Sequence, residues 1–568
     1  MFVKISKVSG VEYVTLVESK WDKVKKKAVH KVVQRLGRKE DLIANDPLAI
    51  EKLKEECKKS KAKISEANQL VTDVMDSLLH NVLLTDNETL DTMCYGNLIY
   101  RKLFKTLKLD KFFNKVDKSY RTKYSLSELT EFLVTSRILR PESKLQTFNQ
   151  KEKFITNYDF SLESVYRSLE KIGKEKSKVV SYLNKQLSSL YNRDLTHCYY
   201  DVTTIYFESF DADELRNFGF SKDLKVNQTQ VVLALAIDNK GIPITYEVFP
   251  GNTNEFKTFL PFLESLKNNF GFQNITIIAD KGLNSKNNLL EMKKLGYNYI
   301  ITEKIKSLDK KVSDAFDLDT FESVTDKFFV RKIPVIDYVN SDEKVYALDD
   351  ELVLTYSSER SKYDLYHIEK LKQKATKLIE QKNHTTYKSS INTGGKKYIS
   401  SKVENVEFNQ KQYDKDLKTI GFYGIRTNIK EIDPMKIYKQ LRGLWKIEES
   451  FRVLKTNFEA RPVYVWKKES ILGHFLICYI SLVIQRYLEL LLKETVNFEK
   501  DDQYLTTSKI IKTLNEKATV VIWGEDKEHF LRLKMDEGLT RILKAFNINS
   551  LPKYGKVENL SSIILGKR

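Results

Sequence analysis

An α/β protein built on a mixed β-sheet is the fold class this sequence predicts, and three observations predict it. Val231-Val232-Leu233-Ala234-Leu235-Ala236-Ile237 is a continuous apolar run, as expected of a strand buried on both faces. Two further strand-like segments, 196–204 and 274–280, each carry or end on one aspartate, Asp201 and Asp280. Around them stand segments that read as helices, among them Glu255 to Asn268 and Ser285 to Leu295.

The bulk properties bound the answer. At 568 residues the chain is too long for one core, and about three or four domains are expected. Its 96 Lys+Arg against 77 Asp+Glu leave a net charge of +19. That excess suits a phosphate backbone, although lysines that serve only solubility give the same count. Cys57, Cys94, Cys198 and Cys478 lie far apart, with no zinc spacing and no disulfide framework, and the seven histidines are scattered. A reducing, cytoplasmic compartment is the natural reading. Met1-Phe2-Val3-Lys4-Ile5 lacks a signal peptide's apolar core. The most apolar stretch, Ile471 to Val483, holds His474 and Ser481. It is too short to span a bilayer, so it reads as a buried helix and no membrane partner is expected.

Taken in order, residues 1–45 alternate around Gly10 and read as a small β-hairpin unit, with a third strand near Val32-Val33 and a basic run at Lys23–Lys27. Residues 46–192 form a helical region. One helix runs through Leu126, Leu129 and Leu133 and stops near Arg140-Pro141; another starts at Ser161, a good N-cap. This Lys/Arg-rich region serves DNA binding on one reading and spacing or dimerisation on the other. Residues 193–302 hold the first part of the core. Asp238-Asn239-Lys240-Gly241 is a turn and Ile242 to Phe249 the returning strand. Three antiparallel strands, a helix and a fourth strand are the order of a ribonuclease H-like core. Residues 303–415 interrupt it with a β-rich insertion that reads as its own subdomain and includes a Gly-Gly loop at 394–395. Residues 416–490 resume the core from Thr419 to Thr427 and enter a long helix after Asp433-Pro434; residues 491–568 read as a helical C-terminal region.

The chemistry lies in three acids. Asp201 and Asp280 sit on strands that adjacent pairing can bring together, and Glu448 sits in a helical segment, Trp445 to Lys455. Two strand carboxylates and one on a helix are what a two-metal phosphoryl-transfer site requires. Either Asp alone also suits a turn or a helix cap. On the helix, Glu448, Arg452 and Lys455 fall at i, i+4 and i+7 and share one face, which fits metal through Glu448 and phosphate through the two cations. The same spacing also describes an ordinary surface ion pair. Glu449 points about 100° away and is the second choice.

Tyr200-Asp201-Val202-Thr203-Thr204, Gly219-Phe220-Ser221-Lys222-Asp223, Pro250-Gly251-Asn252-Thr253, Ala279-Asp280-Lys281-Gly282, and Trp445 to Lys455 followed by Arg461-Pro462 together resemble the motifs of DDE-type bacterial insertion-sequence transposases, of the subgroup with a β-rich insertion before the Glu. The resemblance covers about residues 196 to 490. It implies Asp201, Asp280 and Glu448 as catalytic, metal-binding acids, and Lys455 as a contact to transposon-end DNA. The family places Arg four and Tyr seven residues before the Glu; here those positions are Leu444 and Leu441, with Arg442 and Tyr438 nearby but out of register. Arg452 stands as a substitute phosphate contact, and Trp445 either stacks on an unpaired base or packs against the helix core. The implied cofactor is Mg²⁺ (or Mn²⁺ in its place), two ions per active site. The implied partners are double-stranded DNA, as transposon inverted repeats and target, and a second copy of the chain as a homodimer in the DNA complex. The expected activity is cut-and-paste transposition in a bacterial cytoplasm, at the nucleoid. An RNase H-like nuclease without strand transfer, or a non-catalytic repressor, are the competing functions.

Overall fold

A computed structural model describes residues 2–8, 10–22, 27–58, 91–219, 227–270, 275–305, 308, 312, 314–341, 343–380, 397–402, 405–495, 505–523 and 529–566. The Lys23–Lys26 part of the basic run, the Phe220–Asp223 part of the second motif, Asn274 and the 394–395 loop lie outside the described residues. Two units are formed, Met1–Leu90 and Asp91–Arg568. In the first, alternation produces three antiparallel strands in the order β1-β2-β3: β1 (Phe2–Val8), β2 (Val11–Asp22) and β3 (Lys27–Arg38). Val8 pairs with Val11 across the turn at Gly10, and helix α1 (Lys39–Asn45) follows β3.

The second unit opens with β4 (Asp91–Cys94) and six helices: α2 (Asn97–Thr106), α3 (Leu109–Tyr120), α4 (Leu126–Leu139), α5 (Lys144–Asn149), α6 (Leu162–Lys174) and α7 (Lys176–Tyr191). Serine caps start two of them. Ser125 Oγ accepts from Glu128 N at 3.1 Å, and Ser161 Oγ from Ser164 N at 3.2 Å, each satisfying an orphan donor of the first turn.

Five strands and two helices come next: β5 (His197–Tyr206), β6 (Gln230–Ile237), β7 (Pro243–Pro250), α8 (Glu255–Phe270), β8 (Thr276–Ala279), α9 (Lys286–Lys294) and β9 (Asn298–Glu303). They order as β7-β6-β5-β8-β9, with β6 antiparallel to both neighbours and β5, β8 and β9 parallel. This is the ribonuclease H-like core, and β6 is buried at every position, as its apolar run requires. The turn joining β6 to β7 is anchored by a fully buried ion pair, Arg193 Nε to Asp238 Oδ2 at 2.8 Å. One sheet face packs on α8 and α9 through Tyr200, Phe259, Ile277 and Leu289. The other face joins the larger core built from the flanking helices.

The insertion departs from the sequence reading. Its elements are β10 (Glu322–Thr325), β11 (Phe328–Ser341), β12 (Lys344–Ser357), α10 (Ser358–Glu380), β13 (Ile399–Lys402), β14 (Asn405–Phe408) and α11 (Gln410–Leu417), followed by β15 (Phe422–Thr427). β15 pairs antiparallel with both β9 and β12, so the sheet has nine strands in the order β10-β11-β12-β15-β9-β8-β5-β6-β7. The insertion strands therefore extend the core sheet instead of standing apart as a subdomain, with β12 covering the outer edge that β15 would otherwise expose. Two small cores belong to the insertion itself, one around Leu308, Ala315, Leu352 and Leu354, and one in which α10, β13, β14 and α11 gather around Ala375, Tyr398 and Tyr413.

Beyond β15 come α12 (Pro434–Arg442), α13 (Trp445–Arg452), a π-helical turn (Val453–Asn457) and α14 (Lys468–Thr495). Asp433 caps α12, with Pro434 at its first position. α14 is long and apolar enough to cross a membrane by length and composition, but 78% of its most apolar window is buried inside the protein, where it forms a central core helix. The C-terminal region, read as helical, also carries strands: α15 (Thr507–Lys512), β16 (Thr519–Trp523), β17 (His529–Arg532), α16 (Glu537–Ala545), β18 (Tyr554–Lys556) and α17 (Val557–Leu565). β4 completes their sheet, in the order β18-β17-β16-β4. Short strands of three to five residues paired over this distance leave little periodic signal.

Candidate active site

Strand register brings the two aspartates together. β5 and β8 run parallel with Tyr200 opposite Ala279, so the next residues, Asp201 and Asp280, are neighbours about one strand spacing apart, roughly 5 Å. Alternation decides their side. Tyr200 and Ala279 belong to the α8–α9 face, whereas Tyr199 and Ile278 belong to the opposite one. Asp201 and Asp280, each two residues beyond those, lie on the opposite face.

That face is the one α12 and α13 cover, through Ile437, Leu441 and Ile447. Contact is close. The Tyr199 hydroxyl donates to Gln440 O at 3.0 Å, and a Cβ on Gly443 would stand 2.2 Å from that hydroxyl oxygen, so only glycine fits there. Lys446 extends along the same strand, its Nζ 5.7 Å from the Tyr199 ring and donating to Asn239 O in the β6–β7 turn. These contacts lay α13, and with it Glu448, across the strand that carries Asp201.

The three acids differ in surroundings. Asp201 is half-buried, and its Oδ1 accepts from Val202 N at 2.7 Å. Asp280 and Glu448 are exposed and have no side-chain hydrogen bond or ion pair among the described residues. Asp280 lies near Tyr423 on β15. Burial pushes the Tyr423 phenol up, and the Asp280 charge adds to that; its hydroxyl is 3.0 Å from Thr302 Oγ1, and the Arg360 guanidinium lies 4.8 Å from its ring centroid. Nothing in the sequence marks Tyr423 and Arg360, because they reach the site from beyond the insertion and from within it. Among the described residues, no three His, Cys, Asp or Glu side chains gather as a metal-binding cluster. Among the described residues the acids share a face but are not drawn to common coordination distance. Their all-oxygen donor set suits a hard divalent cation, which takes one or two carboxylates and keeps its waters.

Glu449 has a different role from Glu448. It pairs with Arg452 at 3.2 Å and Arg486 at 3.7 Å, and Arg486 also holds Glu489 at 2.6 Å. Arg452 is thus engaged by Glu449, an intrahelical contact that its i+4 relation to Glu448 does not suggest. Lys455 falls in the π-helical turn, half-buried, so the regular α-helical stripe expected from Glu448 through Lys455 is broken after Arg452. Arg442 is exposed, with its guanidinium 5.9 Å from the Tyr438 ring centroid, and Tyr438 is partly buried against Phe328 at 4.9 Å. Trp445 is 57% exposed.

The fold and its acids define a ribonuclease H-like protein with carboxylates on the first and after the fourth strand of the core. The Transposase DDE domain family matches residues 193–484, and the chain belongs to that family. Among solved structures, the piggyBac transposase synaptic complex with hairpin DNA is similar at 10% identity and a TM-score of 0.33, over 75% of this chain and 80% of that one. The Mos1 transposase paired-end complex with the left transposon end is similar at 14% identity and a TM-score of 0.14, over 31% and 58%. No curated protein matches the sequence.

Proposed function

We propose that this transposase moves DNA by a cut-and-paste reaction, cleaving a phosphodiester at each transposon end and joining the new 3′-hydroxyl to target DNA. The observation that supports it most is that Asp201 and Asp280 directly follow the paired Tyr200 and Ala279 on the sheet face crossed by α13, where Glu448 is exposed and without a side-chain bond among the described residues. In this reading Asp201, Asp280 and Glu448 hold Mg²⁺, two ions per site. When bound, the ions would acidify the attacking water or 3′-hydroxyl and stabilise the leaving oxygen. Lys455, Arg442 and Trp445 flank Glu448 along one chain segment and would position the DNA, two through phosphate and one by stacking. Tyr438 supports the Arg442 side chain. Arg452, held by Glu449, orders the helix. The net charge of +19 favours the polyanion, and one copy of the chain per transposon end gives a homodimer in the complex. The work is done in a bacterial cytoplasm.

A joining assay tests this. Purified protein, Mg²⁺, labelled duplex ends of the encoding element and a target plasmid should give joined products. Asp280→Asn and Glu448→Gln should each lower joining by about a thousandfold, since loss of a metal site removes several kcal/mol of transition-state stabilisation. Glu449→Gln should keep most of it. Cleavage without joining would identify a nuclease, and a mobility shift without cleavage a repressor. Joining that survives Asp280→Asn would refute the triad.

A further inference from the structure

A cavity of about 70 Å³ lies at the far end of β5 from the acids, closed by α4, α5, α14 and the segment 459–465. The chain is brought there by a parallel bridge between Phe207 and Val463. Arg137, Lys144 and His474 form its inner wall, with 5%, 5% and 4% of their surfaces exposed. The cavity has several times the volume one water needs, about 10–15 Å³.

Its wall holds buried positive charge with neutral partners. Arg137 donates Nη1 to Phe458 O at 3.1 Å and Glu459 O at 3.3 Å, and Nη2 to Glu142 O at 2.9 Å; its Nε has no acceptor among the described residues. His474 Nε2 lies 3.2 Å from Ala460 O, and a carbonyl can only accept, so the proton sits on Nε2. Nδ1 is then the acceptor for Lys144 Nζ at 3.4 Å. A lysine ammonium has three donors, and this contact uses one. Burial, with Arg137 adding to it, holds the Lys144 ammonium well below its ordinary range. The acids of the lining, Glu142 and Glu459, are exposed at the mouth; among the described residues neither forms an ion pair with Lys144 or Arg137, though both charges act on Arg137 against the effect of its burial. Arg461 also stands there, its guanidinium 5.4 Å from the Tyr206 ring centroid, beside Tyr464 at 54% exposure.

Buried cations with unused donors around a small polar cavity are the complement of an oxyanion. We propose that this cavity seats a phosphate of the DNA substrate, held by Lys144 and Arg137 from within and by Arg461 at the mouth. The site is five residues along β5 from Asp201, roughly 17 Å, and so contacts DNA about five nucleotide steps from the bond being cut. It rests on the reading of the protein as one that acts on DNA.

The test uses the full chain and reads binding only. Inorganic phosphate at 10 mM or so should raise the melting temperature of the wild type by about 1 °C or more, and should not do so in Lys144→Met. Without phosphate, Lys144→Met should melt at or above the wild-type temperature, because a buried amine with no counter-charge is replaced by an apolar chain; a merely structural lysine would give a fall. Binding of a fluorescent 30-base-pair duplex should lose about one unit of salt slope in Lys144→Met, and equally in Arg461→Gln, which alters only the mouth and keeps the test alive if the first variant fails to fold. Phosphate stabilisation that persists in Lys144→Met overturns the pocket. A salt slope unchanged in both variants overturns the DNA assignment, whether or not free phosphate binds. A wild type that gives these binding results but joins no DNA would count against the transposition reading and leave the pocket standing.

Discussion

A carboxyl group in an apolar interior gives up its proton late, and Glu131 on α4 illustrates the cost. Its Oε2 lies 3.2 Å from Arg101 Nε and its Oε1 accepts from Tyr158 at 3.0 Å, yet burial dominates and pushes its pKa up to about 7. A raised folded-state pKa means that the folded chain holds this proton more tightly than the unfolded one. The associated stability is complete below about pH 4.5 and is lost as the pH rises through about 7. Glu131→Gln should remove that fall. Denaturant titrations at pH 5 and pH 8 should differ less for the variant than for the wild type, by up to about 3 kcal/mol. An equal pH dependence in both would show that Arg101 keeps Glu131 ionised. At this scale the sequence was partly legible. Asp201 and Asp280 stood out because strand propensity is local, and their register follows once β5 and β8 pair. The separation of Glu448 from Glu449 was legible only as a direction on a helix, since Arg486, which engages Glu449, comes from α14. Lys144, Arg137 and His474 carried no signal, because three helices and a loop meet there and no spacing links them.

Among the elements, α13 is held by an approach that leaves no room for a side chain. Tyr199 is almost fully buried, its hydroxyl is tied to Gln440 O, and Gly443 rests against it. Gly443→Ala must push the helix from the strand or break that bond. Joining should fall by about tenfold or more while the melting temperature drops by only a few degrees, because the displacement falls on the element that carries Glu448. Wild-type joining in the variant would show that α13 is not placed by this contact. The helices were legible from apolar spacing such as Leu126, Leu129 and Leu133 and from starts such as Ser161 and Asp433-Pro434, whose chemistry is read within four residues. The insertion was legible as β-rich but not as part of the sheet. Its strands look alike whether they pair with one another or, through β15, with β9. The π-helical turn after Arg452 left no trace, since its widening depends on how Val453 and Leu454 pack.

For the molecule as a whole, the second unit is closed by its own two ends. β4 pairs with β16, Met93 opposite Val520, and Tyr95 N donates to Ala518 O at 2.8 Å. A chain beginning at Asp91 should therefore fold and melt as the second unit does in the full chain. One beginning at Asn97 should melt several degrees lower, having lost a strand and exposed the β16 edge. Equal melting of the two, followed by circular dichroism, would show that β4 contributes nothing. The fold class was legible because five core strands and two helices follow one another in sequence; the closing sheet was not, because its strands come from opposite ends of the chain.

The position of β15 also bears on how the protein is made. It sits beside β9, yet it is synthesised only after the insertion, with Glu303 and Phe422 separated by about 120 residues. At roughly 5–20 residues per second, a ribosome takes about 6–24 s to supply that strand. Throughout this interval the nascent chain carries β9 paired with β8 on one side and without its β15 partner on the other. The time of greatest danger for this protein is thus set by its own topology, and a chaperone that shields the margin of the half-built sheet would act in that window.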